Sequence, residues 1–381
     1  MVHRSLLLLM IALAFPQIAQ SLYSPALGDI GRQFNVGAQA ASQFMSVYFL
    51  AFAAGVVVWG RLCDRIGRRP TMLAGLAMYV VATFSGLWVS SFSALLLAQM
   101  LAAFGAAVGS VVTQTVLRDR FNGAELAKVF SLMGIALAAS PAIGLFSGAS
   151  LVQALGYRGA LGALLLLAML LWLWCWCALA ETRPAPTVPV GLLETLTRML
   201  RDLGIWRSAL LIASFNIALF SYYSLAPFMF ERLGADPAWF GYSGVLLALG
   251  SGSGAWLNKF LLSNGFKPSQ LIRLASGTAL LGGMGVELLH NHVAFVLPML
   301  LVVLAFGMAI PNILGSALTE YADRLGTAGA LLGLMYYVLI GLGLILAGWF
   351  QALGATLMMC AAVAWLLAIR AEANSSRVRQ H

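Results

Sequence analysis

Charge is what this sequence has least of. Only 9% of its 381 residues are charged, against about a quarter in soluble domains, which excludes a water-facing surface over most of the molecule. Acids are the scarcer sign, 13 against 22 bases, and none falls clearly at the middle of a long apolar run. The four cysteines, Cys63, Cys175, Cys177 and Cys360, lie on or within such runs and do not form a disulfide framework. Cys175 and Cys177 flank Trp176 in a helix-forming segment, and so close a spacing argues against a shared metal. Without a nucleophile–base pair or a metal cluster, an enzyme is not expected, nor any cofactor. No polar stretch is long enough for a soluble domain, so the net charge of +9 is not read as a nucleic-acid surface.

Apolar residues are what remain, at 61%. They recur in runs of roughly 20, each long enough to cross the hydrocarbon core as a helix. Twelve spans are expected, at about 5–24, 41–59, 71–89, 93–117, 128–152 and 159–179, then 207–230, 238–258, 270–288, 293–316, 328–350 and 353–370. With both termini inside, all but three of the 22 Lys and Arg (Arg32, Arg158 and Arg232) fall on the cytoplasmic side, as the positive-inside rule requires. Arg4 ahead of Leu6–Phe15 resembles the start of a secretory signal, but further spans follow at once, and an uncleaved first span is expected.

The fold class is therefore an all-α integral membrane protein of twelve transmembrane helices in two pseudo-symmetric six-helix halves. The halves are expected at 1–180 and 207–370, followed by a cytoplasmic tail at 371–381. Between them, 181–206 opens with Pro184, Pro186 and Pro189. Leu192, Leu193, Leu196, Met199, Leu200 and Leu203 then recur at helical spacing against Glu194, Arg198, Arg201 and Asp202, the pattern of an amphipathic helix in the membrane interface.

One stretch stands out. Gly60-Arg61-Leu62-Cys63-Asp64-Arg65-Ile66-Gly67-Arg68-Arg69-Pro70 sets a dense basic patch between two apolar runs. Its glycines flank the aspartate and a proline closes it, so it reads as a tight turn rather than a helix. After span eight, Gly265, Lys267 and Pro268 repeat Gly67, Arg69 and Pro70 at an offset of 198 residues, with Leu262 where the acid would be. Polar stripes mark equivalent spans of the halves. They are Gln17, Gln20, Ser21 and Ser24 in span one, and Gln99, Ser110, Thr113 and Gln114 in span four. Span seven has Asn216, Phe220, Tyr223 and Ser224; span ten has Asn312, Ser316, Thr319 and Glu320. Tyr336 and Tyr337 in span eleven, Tyr222 and Tyr242 add aromatic surface. Each polar group could equally be interhelical glue. Spans six and twelve carry no charged or amide side chain and read as lipid-facing.

The pattern Gly-x-Leu-x-Asp-Arg-x-Gly-Arg-Arg resembles the loop between spans two and three of the major facilitator superfamily of secondary transporters. Leu22-Tyr23-Ser24-Pro25-Ala26-Leu27, Arg118-Asp119, Tyr157-Arg158 and Glu181-Thr182 resemble its bicyclomycin and chloramphenicol resistance-type exporters, and Pro141-Ala142-Ile143-Gly144 resembles the antiporter motif of drug exporters. The resemblance implies a cytoplasmic latch of Gly60, Asp64, Arg65, Gly67 and Arg68 with Arg118 and Asp119. There the aspartate meets a base after span four and the N-terminus of span eleven. It also implies a cavity lined by spans one, four, seven and ten, with Gln17, Gln20, Ser21, Gln114, Asn216, Tyr223, Asn312 and Tyr336 as substrate-binding candidates. Two positions depart from it: Ser21 and Gln99 stand where that branch usually has charged residues tied to proton coupling.

The expected function is export of a small amphipathic compound across the inner membrane by a single-copy carrier, its partners being the substrate, the bilayer and, under antiport, protons. Uptake or facilitated diffusion without tight proton coupling stays open, because motifs at the inner end do not fix direction. A transporter-like sensor is the alternative of another class.

Overall fold

A computed structural model describes residues 2–183 and 192–378. Every element among them is a helix, as expected of apolar runs whose backbone groups find no water partners in a bilayer. Two compact units emerge, Met1–Pro189 and Val190–His381.

The first unit contains α1 (Val2–Tyr23), α2 (Leu27–Gln33), α3 (Ala38–Ile66), α4 (Arg68–Gly86), α5 (Phe92–Arg120) and α6 (Gly123–Ala178). Helix α6 is two arms in one, broken at Gly156, whose φ of 67° and ψ of −172° suit only glycine. The Tyr157 N–H beyond the break donates to Asp29 Oδ2 at 2.7 Å. The expected spans 128–152 and 159–179 are these two arms. In the second unit, α7 (Leu192–Arg201) and α8 (Leu203–Arg232) are followed by α9 (Pro237–Ser263), α10 (Pro268–Leu288) and α11 (Val296–Ala317). A 3₁₀ segment, Thr319–Arg324, then leads to α12 (Leu325–Phe350) and α13 (Leu353–Val378). Among the described residues nine helices are long and apolar enough to cross a membrane, and Leu353–Ile369 is a shorter apolar helix. Pro184, Pro186 and Pro189 lie outside the described residues.

The units share a packing plan. In the first, α5 packs on α1, α3 and α4, and α4 on α6; in the second, α11 packs on α8, α9 and α10, and α10 on α13. Lipid offers no hydrophobic drive for helices to associate, so close approach and interhelical hydrogen bonds do the work. Tyr48 donates to the Pro16 carbonyl (2.8 Å), Trp59 Nε1 to the Phe104 carbonyl (2.7 Å) and Trp172 Nε1 to the Leu73 carbonyl (3.1 Å). A Cβ on Gly144 would lie 2.9 Å from the Ile18 carbonyl oxygen, so α1 and α6 meet backbone to backbone there. In the second unit Tyr222 donates to Ser243 at 2.6 Å and Asn312 Nδ2 to Asn258 Oδ1 at 2.6 Å.

The outer faces stay apolar: Val81, Trp88, Leu166, Leu249, Trp256, Leu281 and Leu366 are exposed, a surface suited to acyl chains and not to water. The arm of α6 after Gly156 buries Leu161, Leu164, Ala168, Leu171 and Cys175 and turns Leu166, Leu170, Leu173 and Trp176 outward. Helix α13 does the same with Leu357, Ala361 and Ala364 against Met359, Val363 and Leu366. The expectation of lipid-facing helices thus applies to one face of each.

The tight-turn reading of Gly60–Pro70 is corrected. Gly60 to Ile66 is the last part of α3, and Arg68 already opens α4. The turn is one residue, Gly67, with φ 104° and ψ 167°. Gly60 sits inside the helix, where an added Cβ would make an ordinary van der Waals contact with Val111 at 3.6 Å. Pro70 falls in the first turn of α4, where its missing N–H has no intrahelical partner to lose.

Candidate functional site

The basic motif sits where α3 ends and α4 begins, and its geometry is organised around Arg68, which is 5% exposed. Its Nε donates to Asp119 Oδ2 at 2.8 Å and one terminal nitrogen to Asp119 Oδ1 at 3.4 Å, a forked pair with the end of α5. The other terminal nitrogen reaches the Cys63 carbonyl (3.1 Å) and Asp64 Oδ1 (3.4 Å). Burial works against the charge of Arg68. The Asp119 hydrogen bond and the Asp119 and Asp64 carboxylates nevertheless raise its pKa above the ordinary guanidinium value.

Gly67 opens α4 in a conformation that exposes the first N–H groups of the helix, and Glu181 fills that opening. Its Oε1 accepts from the Arg68 N–H (2.8 Å), the Thr182 N–H (3.0 Å) and the Arg183 N–H (2.9 Å), and its Oε2 from the Arg69 N–H (3.1 Å). A carboxylate here satisfies orphan donors and meets the positive end of the helix dipole. Burial pushes the Glu181 pKa up, but the N–H groups of Arg68, Arg183, Arg69 and Thr182 together hold it below the ordinary carboxylate value. A Cβ on Gly67 would stand 2.5 Å from Glu181 Oε2, so glycine is required twice over. Thr182 Oγ1 donates to Asp119 Oδ2 at 2.9 Å, joining the strap after α6 to the Arg68 pair. Arg69 donates to the Trp176 carbonyl at 2.7 Å and lies 5.8 Å from its ring centroid.

Of the expected latch residues, Arg68, Asp64 and Asp119 are brought together and Gly67 forms the turn. The Asp64 side chain is 75% exposed, and Asp119 takes the closer pair. Arg65 is exposed, and the Arg118 guanidinium lies 5.9 Å from the Phe130 ring centroid. Glu181 was visible in sequence only through its motif. Nothing local ties it to Arg68, 113 residues away.

The substrate-binding candidates divide. Gln17 and Gln114 in the first unit, and Asn216 and Tyr336 in the second, are half-buried. Gln114 Nε2 donates to Ser110 Oγ (3.2 Å), Asn216 Nδ2 to the Ile212 carbonyl (2.8 Å), and Tyr336 lies against Tyr337 with ring centroids 4.4 Å apart. Gln20, Ser21, Tyr223 and Asn312 are buried. Ser21 donates to the Gln17 carbonyl at 2.8 Å, and the Asn312 amide is committed to Asn258 and to the Met308 carbonyl (2.8 Å). Gln20 Nε2 and both amide atoms of Gln99 are buried without a protein hydrogen-bond partner. Gln99 and Thr83 line a small enclosed space together with Tyr23, Phe44 and Leu95.

The family model described as the Major Facilitator Superfamily matches residues 9–344. An "Uncharacterized transporter" of Rickettsia bellii (strain RML369-C) is 29% identical over 339 residues, 85% of this chain and 84% of that protein. The "Chloramphenicol resistance protein" of Pseudomonas aeruginosa is 28% identical over 85% of this chain and 78% of its own length. "Multidrug resistance protein D" of Escherichia coli (strain K12) is 29% identical over 52% and 50%. In fold, the chain is similar to the POT family transporter PepTSo, with a TM-score of 0.78 and 12% identity over 99% of this chain and 98% of that one. It is likewise similar to a D-xylose-proton symporter, at 0.76 and 14% over 96% and 97%.

Proposed function

The chain belongs to the Major Facilitator Superfamily, and from that membership we propose that it exports small amphipathic compounds, neutral or zwitterionic, by alternating access. Twelve crossings carry the process, in halves at 1–180 and 207–370, with both termini on the cytoplasmic side of the inner membrane. Relatives named for multidrug and chloramphenicol resistance support the export direction.

The observation that carries the substrate class is the chemistry of the buried polar side chains. Among the described residues Arg68 is the one that is both buried and charged, and it is paired at the inner end; Gln20, Ser21, Gln99, Thr113, Ser221 and Asn312 are neutral. An ion held among such groups would lose hydration that no counter-charge restores. Amides, hydroxyls and tyrosine rings suit molecules with several hydrogen-bonding groups and some apolar surface. Gln17, Gln114, Asn216 and Tyr336, half-buried and polar, are the side chains we assign to substrate. Arg68, Asp119, Asp64 and Gly67 form the latch.

Gln99 favours a second reading of the energetics. An amide cannot carry a proton through a transport cycle, so proton dependence is shallow and the carrier approaches facilitated movement. Flux into reconstituted vesicles, with one neutral aromatic amide and one quaternary ammonium dye, with and without a pH gradient, tests both points. The neutral compound should move faster and respond weakly to the gradient. Preference for the dye, or flux wholly dependent on the gradient, would overturn the assignment.

A further inference from the structure

Helix α7 has three faces. Thr195 and Met199 are buried against the second unit, while Leu193 and Leu200, seven residues apart on one line, are 73% and 47% exposed. Beside that apolar edge runs a polar one bearing Thr197, Arg198 and Arg201. An exposed apolar edge next to a cationic edge is the arrangement of a helix lying along a membrane surface, leucines toward acyl chains and arginines toward headgroups. Leu203, just beyond the helix, is a further exposed leucine, at 83%.

The cationic edge borders a cavity of about 690 Å³ lined by Leu193, Glu194, Thr197, Arg198, Arg201, Asp202 and Tyr321. Two carboxylates line it, and both are already occupied. Glu194 pairs with Arg324 at 3.2 Å. Asp202 accepts from the N–H groups of Gly204 (2.7 Å) and Ile205 (3.3 Å) with one oxygen and from the Tyr321 hydroxyl (2.9 Å) with the other. The arginines are not so occupied. Arg198 lies over the Tyr321 ring, 4.9 Å from its centroid, and among the described residues neither it nor Arg201 makes a hydrogen bond or ion pair. Two guanidiniums with unused donors, a threonine hydroxyl and an adjacent leucine edge converge on one space.

We propose that this cavity binds the phosphate of an anionic phospholipid, its headgroup held by Arg198 and Arg201 and its acyl chains running along Leu193, Leu200 and Leu203. Guanidinium forks match phosphate oxygens two at a time. The space is wide open on one side and leaves room for a headgroup larger than a bare phosphate. The lipid would fasten the start of the second unit to the bilayer surface.

The test uses the full-length protein in detergent, titrated with phosphatidylglycerol, phosphatidylcholine or inorganic phosphate, with bound lipid counted by native mass spectrometry and thermal unfolding followed in parallel. Phosphatidylglycerol should be retained and stabilising, and phosphatidylcholine should not. Arg201→Gln removes no hydrogen bond or ion pair among the described residues, so it should fold normally and weaken phosphatidylglycerol binding about fivefold, the effect of one surface arginine on an anionic membrane. Arg198→Gln with Arg201→Gln should abolish the preference. Equal retention of the two lipids by the wild type would overturn the proposal, as would an unchanged preference in Arg201→Gln. Stabilisation by inorganic phosphate equal to that by phosphatidylglycerol would also overturn it, by making this a site for soluble anions.

Discussion

Replacing Glu181 by glutamine keeps the shape of the side chain and removes its charge. In the native site four N–H groups converge on two oxygens. Glutamine offers one oxygen, which can retain the three bonds now made to Oε1. Its NH₂ then faces the Arg69 N–H, donor against donor, and the interaction with the positive end of α4 is lost. A helix-capping side chain with a full charge is worth about 0.5–2 kcal/mol. Glu181 is exposed, so solvent screening places the loss near 1 kcal/mol. For a body of 150–250 residues that is a fall in unfolding midpoint of about 2–4 °C.

The same contact makes a pH prediction. The folded-state pKa of Glu181 lies below its ordinary value of 4.5, so its contribution is complete above that value and disappears as pH falls through the lower, folded one. Thermal unfolding of wild type and Glu181→Gln in detergent should therefore differ at pH 7 and converge in acid. Equal midpoints at pH 7, or a difference that persists undiminished once the carboxyl is protonated, would refute the capping role.

Asp119→Asn should destabilise by about 3 kcal/mol, because it strips the close partner from a buried guanidinium; Asp64→Asn, at an exposed carboxylate, should cost under about 1 kcal/mol and act on transport rate instead. Unfolding midpoints and flux measured on both variants separate stability from latch function. Asn312→Ala should lower thermal stability, since it leaves the buried Asn258 amide without its partner. Gln114→Ala and Asn216→Ala should raise the half-saturating substrate concentration with little change in stability. Gly144→Leu should prevent accumulation of folded protein, read as lost monodispersity on size-exclusion chromatography, because α1 has no room to withdraw.

The helices were legible because the bilayer imposes one rule on every span, and apolar runs report it directly. The Gly60–Ile66 stretch misled because glycine and clustered arginine mark turns in water-exposed chain. Here the arginines simply decorate the end of α3 that leaves the membrane. Glu181 was legible as part of a motif and not as a cap, since the Gly67 opening it fills is created by a φ value that no local pattern announces. Asn312 read as a polar stripe residue because its partner, Asn258, stands 54 positions away on another helix. Span six read as lipid-facing, yet within it the Trp172 indole N–H holds α6 to the Leu73 carbonyl of α4. In each case periodicity identified the helix, and a side chain from elsewhere decided what the residue does.

Gly67 and Gly156 each turn the chain within a single residue, and each turn is clamped by a carboxylate, Glu181 on the N–H groups after the first and Asp29 on the N–H after the second. Such joints gear neighbouring rods together: each clamp, worth about 1 kcal/mol, favours α4 moving with α3 and one arm of α6 moving with the other. An epitope or reporter inserted at either joint would uncouple the gear even if every helix still formed.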